Sequence, residues 1–216
     1  MKILVSVLLA LSTLGGATAN PTKSEVDRAL APLRQAEGVT VRLKKRSLNS
    51  LLAREKTSVG RLHYWKGKLR VETESPDETL LILDGKTLWL VTTLPEDMGG
   101  KTLVSKTSAG SFKKSNTFFA ALLGEGKLLK EFKITGRATI DDDVHLELAP
   151  KVADQSEIQK LDLWLKSKDR RLAKVVYWDD KENEVTYELG EPEKINGDRK
   201  ALFSYKPPKG AEVTEF

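Results

Sequence analysis

Cysteine is absent from this sequence of 216 residues, and histidine occurs only at His63 and His145. Without cysteine the chain forms no disulfide framework, offers no thiolate ligand to a metal ion and carries no thiol nucleophile. The two histidines fall in separate strand patterns, and neither has a ligand partner at helical spacing. We therefore expect no metal site and no catalytic histidine.

The motifs that carry common chemistries are also missing. The sequence has no G-x-S-x-G elbow, no phosphate-binding loop and no dinucleotide fingerprint. The acidic run at residues 141–143 lacks the spaced oxygen ligands and the turn glycine of a calcium loop. We expect a protein that is not an enzyme and uses no cofactor.

Charge of one sign is not in large excess, because 36 Lys and Arg residues face 31 Asp and Glu residues, for a net charge of +5. The basic residues are not interleaved with stacking aromatic residues, so we expect no nucleic-acid partner. The small positive balance fits either docking to acidic partners or lipid headgroups, or simple solubility.

The N-terminus has the pattern of a secretory signal peptide. Lys2 supplies the positive charge, residues 3–14 form the apolar stretch, and Ala17-Thr18-Ala19 is a small-residue cleavage site. The apolar stretch is too short to span a bilayer. We predict cleavage after Ala19, which leaves residues 20–216 as a single periplasmic domain and a monomer, without the cysteine that a lipid anchor needs.

Most of the remaining sequence consists of short alternating apolar runs separated by turn residues, which predicts about eleven strands in an antiparallel sandwich or barrel. The fold class is mainly β with some helix. Residues 20–38 read as a helix with an apolar stripe, and this helix should kink or break at Pro32. Lys66-Gly67 is the predicted turn of a hairpin.

The pattern of apolar residues is organised around Pro76–Trp89. Asp84-Gly85 lies between two apolar runs, which predicts a two-residue turn with positive φ at both positions. Residues 80–83 are apolar at both parities, so both faces of this strand need cover. Leu81 and Leu83 point one way and Leu80 and Ile82 the other. We expect one pair to face a cavity and the other to pack under a helix or another outer cover.

A short segment that is apolar on all sides follows. Ser115-Asn116-Thr117 caps it, and residues 118–123 read as a helix that ends at Gly124. Such a helix is normally buried on every side. It fits either a lid over an apolar container or a plug in an ordinary core, and the pattern alone does not choose between them.

Several motifs in this order resemble the LolA family of periplasmic lipoprotein carriers, over residues 22–213. They are Pro76–Trp89, Gly60-x-Leu62, Ser115-Asn116-Thr117 before the apolar helix, and Phe203 followed by Pro207-Pro208-Lys209-Gly210-Ala211-Glu212-Val213. The resemblance implies an unclosed antiparallel β-barrel whose open side is covered by helices over an apolar cavity for acyl chains. The Arg-Pro turn that ties the family's lid is replaced here by Lys66-Gly67, so Lys66 becomes the candidate lid latch.

The resemblance also implies partners and a set of site residues. Acylated lipoproteins would arrive from an inner-membrane LolCDE-type transporter and leave for an outer-membrane LolB-type acceptor. A LolB-like acceptor and a periplasmic lipid- or lipoprotein-sensing module share this fold and remain alternatives. The residues expected to line the cavity are Leu30, Leu33, Leu62, Tyr64, Leu69, Val71, Leu81, Leu83, Trp89, Phe118, Phe119, Leu122 and Leu123.

Overall fold

A computed structural model of the protein describes residues 23–35, 37–74, 78–94, 96, 99–111 and 128–215. Within these ranges thirteen strands form one sheet. The strands are β1 (Val39–Asn49), β2 (Arg54–Trp65), β3 (Lys68–Thr73), β4 (Thr79–Leu83), β5 (Thr87–Thr93), β6 (Thr102–Ser108), β7 (Phe132–Ile140), β8 (Asp143–Pro150), β9 (Ile158–Leu165), β10 (Leu172–Asp179), β11 (Glu184–Leu189), β12 (Glu193–Lys194) and β13 (Val213–Glu215).

The helical pieces are short and few in the same ranges. They include α1 (Lys23–Leu30), α2 (Leu128–Glu131), α3 (Arg199–Leu202) and two 3-10 turns (Ala31–Arg34 and Ala153–Gln155). No helix in the described part of the chain is long and apolar enough to cross a membrane.

The sheet is strongly curved and does not close. Its strand order is β13-β6-β5-β4-β3-β2-β1-β11-β10-β9-β8-β7, with β12 paired separately to β1. Because β13 and β7 form the two edges, the predicted unclosed barrel is confirmed. The described strands outnumber the predicted eleven, and β13 pairs with β6 in parallel, so the sheet is not purely antiparallel.

Two hairpin turns show how the sequence sets the register. Lys66 and Gly67 have φ values of +47° and +76°, as the favoured two-residue turn requires, so this predicted turn is confirmed. The prediction for Asp84-Gly85 was wrong by one residue, because only Gly85 of that pair has positive φ. The Asp84 carboxylate instead accepts the backbone N–H groups of Lys86 and Thr87, each at 2.8 Å, which places Gly85 and Lys86 in the turn.

The N-terminal helix is shorter than predicted. The α-helix ends at Leu30, and Pro32 lies in the first positions of the 3-10 turn, where a missing N–H is tolerated. The predicted apolar stripe is confirmed, since Val26, Ala29, Leu30 and Leu33 are all buried. An ion pair of 3.2 Å between the Glu25 carboxylate on α1 and the guanidinium of Arg137 joins the helix to β7.

The two faces of the sheet differ in what packs on them. We call the face that carries the main apolar cluster the inner face. The described members of this cluster come from α1, its 3-10 turn, α2 and most strands, and include Val26, Leu30, Leu33, Val41, Leu62, Tyr64, Leu69, Leu83, Phe132, Leu146, Leu163, Leu165 and Val175. The helices α1 and α2 therefore pack on the inner face of the sheet.

The C-terminal segment, residues 193–215, covers part of the opposite, outer face. It begins with β12 paired to β1 and ends with β13 paired to β6. Between these strands the Phe203 ring stacks on Trp65 with 6.2 Å between centroids, and the Tyr205 ring lies 5.5 Å from Trp89. Phe203 is 1% exposed, so this segment forms a second apolar contact beyond the main core.

Candidate functional site

Two cross-strand rows of apolar side chains lie side by side on the inner face of β2 to β5. One row is Tyr64, Leu69, Leu83 and Leu88, and the other is Leu62, Val71, Leu81 and Leu90. The first row is buried, whereas Val71, Leu81 and Leu90 in the second row are only partly buried. The inner face thus carries a continuous apolar surface with a partly exposed margin.

The close approach of β2 and β3 within this surface depends on a glycine. A Cβ atom at Gly60 would clash with the backbone carbonyl of Glu72 on β3. The Glu74 N–H then reaches the Val59 carbonyl at 2.8 Å. Gly60 in the Gly60-x-Leu62 motif is required by this packing of backbone on backbone.

Most of the predicted cavity residues that the structure describes come together on the inner face. Leu30, Leu33, Leu62, Tyr64, Leu69 and Leu83 belong to one buried cluster, and Val71 and Leu81 pack against it. The register confirms that Leu81 and Leu83 share a face with Leu69 and Val71. Their role in binding acyl chains remains a prediction. Phe118, Phe119, Leu122 and Leu123 lie outside the described residues.

Trp89 does not share this surface, and its assignment to the cavity is corrected. Its partner in the register is Ile82, not Leu81 or Leu83, so Trp89 points to the outer face. There it contacts Tyr205 of the C-terminal segment. The alternation of side chains along β5 makes this inevitable once Leu88 faces inward.

Ile82 explains why β4 is apolar on both sides. It is fully buried, at 0% exposure, and it lies between Arg70 and Trp89 in the strand register. The Arg70 guanidinium donates to the Leu202 carbonyl at 3.2 Å, and Trp89 contacts Tyr205. The C-terminal segment is therefore the cover over the second apolar face.

Lys66, the candidate lid latch, is an exposed turn residue with positive φ. Its Nζ atom lies 5.5 Å from the centroid of the Trp65 ring, an attractive cation–π arrangement. The apolar segment that it would hold lies outside the described residues, so the latch role remains a prediction.

A polar group interrupts the inner face where β1 meets β11, and the sequence reasoning missed it. Lys45 lies opposite Tyr187, with Nζ 6.0 Å from the centroid of the ring. Burial lowers the pKa of Lys45, and burial raises the pKa values of Tyr187 and Tyr177. The signal was available, because Lys45 occupies the same parity as Val39, Val41 and Leu43. A positive charge next to phenols therefore borders the apolar surface.

The first histidine belongs to a hydrogen-bonded group on the outer face. His63 Nδ1 lies 2.8 Å from the Thr40 hydroxyl, and Nε2 lies 3.1 Å from the Glu72 carboxylate. Arg70 donates to the same carboxylate at 3.0 Å and also to the Leu202 carbonyl. These contacts tie the C-terminal segment to the sheet.

Burial and hydrogen bonds oppose each other in this group. Burial lowers the pKa of His63 and outweighs the hydrogen bond to Glu72, which would raise it. For Glu72, burial would raise the pKa, but the hydrogen bonds from His63 and Arg70 hold it below its ordinary value. The arrangement therefore favours a neutral imidazole beside an ionised carboxylate.

A curved, unclosed sheet with an apolar inner face and a helix packed against that face is the architecture of the LolA-like fold. The chain belongs to the LolA family. The sequence model of this family, described as the outer membrane lipoprotein carrier protein LolA, matches residues 35–206. Among curated proteins, the comparison finds none that matches this sequence.

Several solved structures are similar to this chain at low sequence identity. A conserved protein from Thermus thermophilus has a TM-score of 0.52 and 14% identity, with 90% of this chain and 98% of that chain covered. A LolA superfamily protein from Nitrosomonas europaea has a TM-score of 0.43 and 12% identity, with coverage of 85% and 97%. The lipoprotein LppX of Mycobacterium tuberculosis has a TM-score of 0.41 and 14% identity, with coverage of 82% and 97%.

Proposed function

We propose that this protein is a periplasmic carrier that binds the acyl chains of lipoproteins on its inner face. The observation that carries the proposal is the continuous apolar surface formed by the rows around Leu69, Leu83 and Leu81. Membership of the LolA family supports the same reading. Residues 1–19 act as the cleaved signal peptide, and residues 20–216 form the single carrier domain.

Shelter from water supplies ample free energy for this role. Each CH₂ group removed from water contributes about 0.8 kcal/mol, so a chain of about 16 carbons gains on the order of 10 kcal/mol. A carrier that kept all of this gain for several chains would not release its cargo. Opening of the inner face must therefore offset part of the gain, and transfer proceeds to an acceptor that binds more tightly.

The polar group at Lys45 and Tyr187 gives the cargo an orientation. An ammonium group beside a phenol at the border of an apolar surface suits a carbonyl or anionic group next to the acyl chains. The chains would lie along the rows of leucine side chains, with the polar end of the lipoprotein toward Lys45. The donor is an inner-membrane LolCDE-type transporter and the receiver an outer-membrane LolB-type acceptor.

Affinity purification of the tagged protein from the periplasm tests this proposal. We expect mass spectrometry to find lipoproteins bound with their acyl chains intact. Depletion of the protein should make lipoproteins accumulate in the inner membrane. If the purified protein carries no acylated cargo, the carrier function is excluded. Bound lipoproteins without inner-membrane accumulation on depletion would favour the acceptor or the sensing module instead.

A further inference from the structure

The outer face of β8 and β9 carries a group of side chains that the carrier function does not use. His145 and Glu147 lie two residues apart on β8, so their side chains share a face. Asp162 lies directly opposite Glu147 on β9. One ligand atom from each of the three side chains lies within 4.8 Å of the other two. The group therefore has the spacing of a metal-ligand set.

Asp162 supplies an independent indication that a cation belongs here. Its side chain is only 5% exposed, although it lies on the outer face. Oδ2 lies 3.1 Å from His145 Nε2, whereas Oδ1 is buried and has no hydrogen-bond partner among the described residues. A buried carboxylate oxygen without a partner costs free energy, and a bound cation would remove that cost.

The neighbours of the group shape it for a ligand. A Cβ atom at Gly136 on β7 would come within 2.5 Å of Glu147 Oε2, so the missing side chain makes room for this carboxylate. The His145 ring stacks on Trp164 with 4.2 Å between centroids and 20° between the ring planes. The stacking restricts the orientation of the imidazole.

We propose that His145, Glu147 and Asp162 bind a divalent transition-metal ion of the zinc type. An imidazole with two carboxylates suits Zn²⁺ better than Mg²⁺ or Ca²⁺, which prefer oxygen ligands alone. Three protein ligands leave one tetrahedral position for water. The ion joins β8 to β9 on the face opposite the apolar surface. Metal binding can therefore be tested independently of lipoprotein binding.

Lys160 competes with the metal ion for the same carboxylate. Its Nζ atom lies 3.3 Å from Asp162 Oδ2 and 4.6 Å from the centroid of the Trp178 ring. The Lys160 side chain is 48% exposed, so it can move into solvent when the ion binds. Removal of this ammonium group should therefore tighten metal binding, an effect that a purely structural ion pair would not produce.

Calorimetric titration of the metal-free protein, made without a polyhistidine tag, with ZnCl₂ tests the site. We expect one ion per chain. Asp162→Asn and His145→Ala should each weaken the affinity by about tenfold or more, and Lys160→Gln should strengthen it several-fold. The matched control is Glu188→Gln on the outer face of β11, where the Glu188 carboxylate lies 3.9 Å from Lys44. The affinity of this variant for Zn²⁺ should equal that of the wild type.

A fluorescence titration of the wild-type protein measures metal binding without relying on a variant that folds poorly. Ni²⁺ bound at His145 should quench the fluorescence of Trp164 in the wild-type protein, Zn²⁺ should reverse the quenching, and Trp164→Phe should abolish most of it. Circular dichroism reports the fold of every variant. Absence of saturable Zn²⁺ binding by the wild type, or unchanged affinity in Asp162→Asn, would overturn the proposal.

Discussion

Two regions of the outer face, over β3 to β5 and over β8 and β9, differ in how much of the chain packs on them. Over β3 to β5 Ile82 is completely buried, and the C-terminal segment contacts its cross-strand neighbours Arg70 and Trp89. Over β8 and β9 the same face carries His145, Lys160 and Trp164, and Lys160 is about half exposed. On β4 the apolar residues at both parities mark a region of the sheet that is packed on both sides. Such a pattern is not by itself the sign of a second ligand surface.

The largest expected difference in stability between the two regions of the outer face comes from a substitution at Phe203. Phe203→Ala removes a ring that is 1% exposed and stacked on Trp65, and should lower the free energy of unfolding by about 3–5 kcal/mol. Urea unfolding measures this change. The control is Ile140→Ala on β7, where the side chain is 46% exposed and the expected cost is below about 1 kcal/mol. Equal costs for the two variants would contradict the packed contact.

Ile82 and Leu83 form the next test because they are adjacent, both 0% exposed, and point to opposite faces. Each change to Ala should cost about 2–5 kcal/mol in urea unfolding, since each leaves a cavity in a packed region. Only Leu83→Ala should also weaken the binding of a fluorescent acyl-chain probe, measured below the unfolding transition. An equal loss of probe binding in Ile82→Ala would disprove the assignment of faces.

The smallest effect concerns pH and His63. Because burial lowers the pKa of His63, the unfolded chain takes up this proton at a higher pH than the folded protein. The neutral imidazole therefore contributes to the free energy of unfolding. This contribution is fully present above about pH 6.5 and is lost as the pH falls below that value. When the pH is lowered from 7.5 to 5.5, the free energy of unfolding measured in urea should fall less in His63→Gln than in the wild type. Identical losses would show that His63 does not titrate in this way.

Much of the fold could be predicted from the sequence because the alternation is regular. Leu161, Leu163 and Leu165 repeat at a period of two, and the structure buries all three on the inner face. The short strands β12 and β13 contain two and three residues, which is too few for any periodicity to be recognised. Their pairing depends on the contacts of the C-terminal segment, which are distant in sequence.

The error at Trp89 was avoidable. A two-residue turn at either Asp84-Gly85 or Gly85-Lys86 pairs Trp89 with Leu80 or Ile82, both on the outer face. Register alone therefore separates Trp89 from Leu81 and Leu83. The group around Asp162 could not be predicted in the same way, because pairing of β8 with β9 brings Glu147 and Asp162 together across a hairpin of unknown register.

Binding of acyl chains on the inner face is tested most sharply at Leu80 and Leu81. These residues are adjacent on β4, both are partly buried, and they point to opposite faces. A photo-crosslinking amino acid placed at each position should capture acylated lipoprotein from position 81 and not from position 80. Equal capture from both positions, or capture from position 80 alone, would show that the acyl chains do not bind on the inner face.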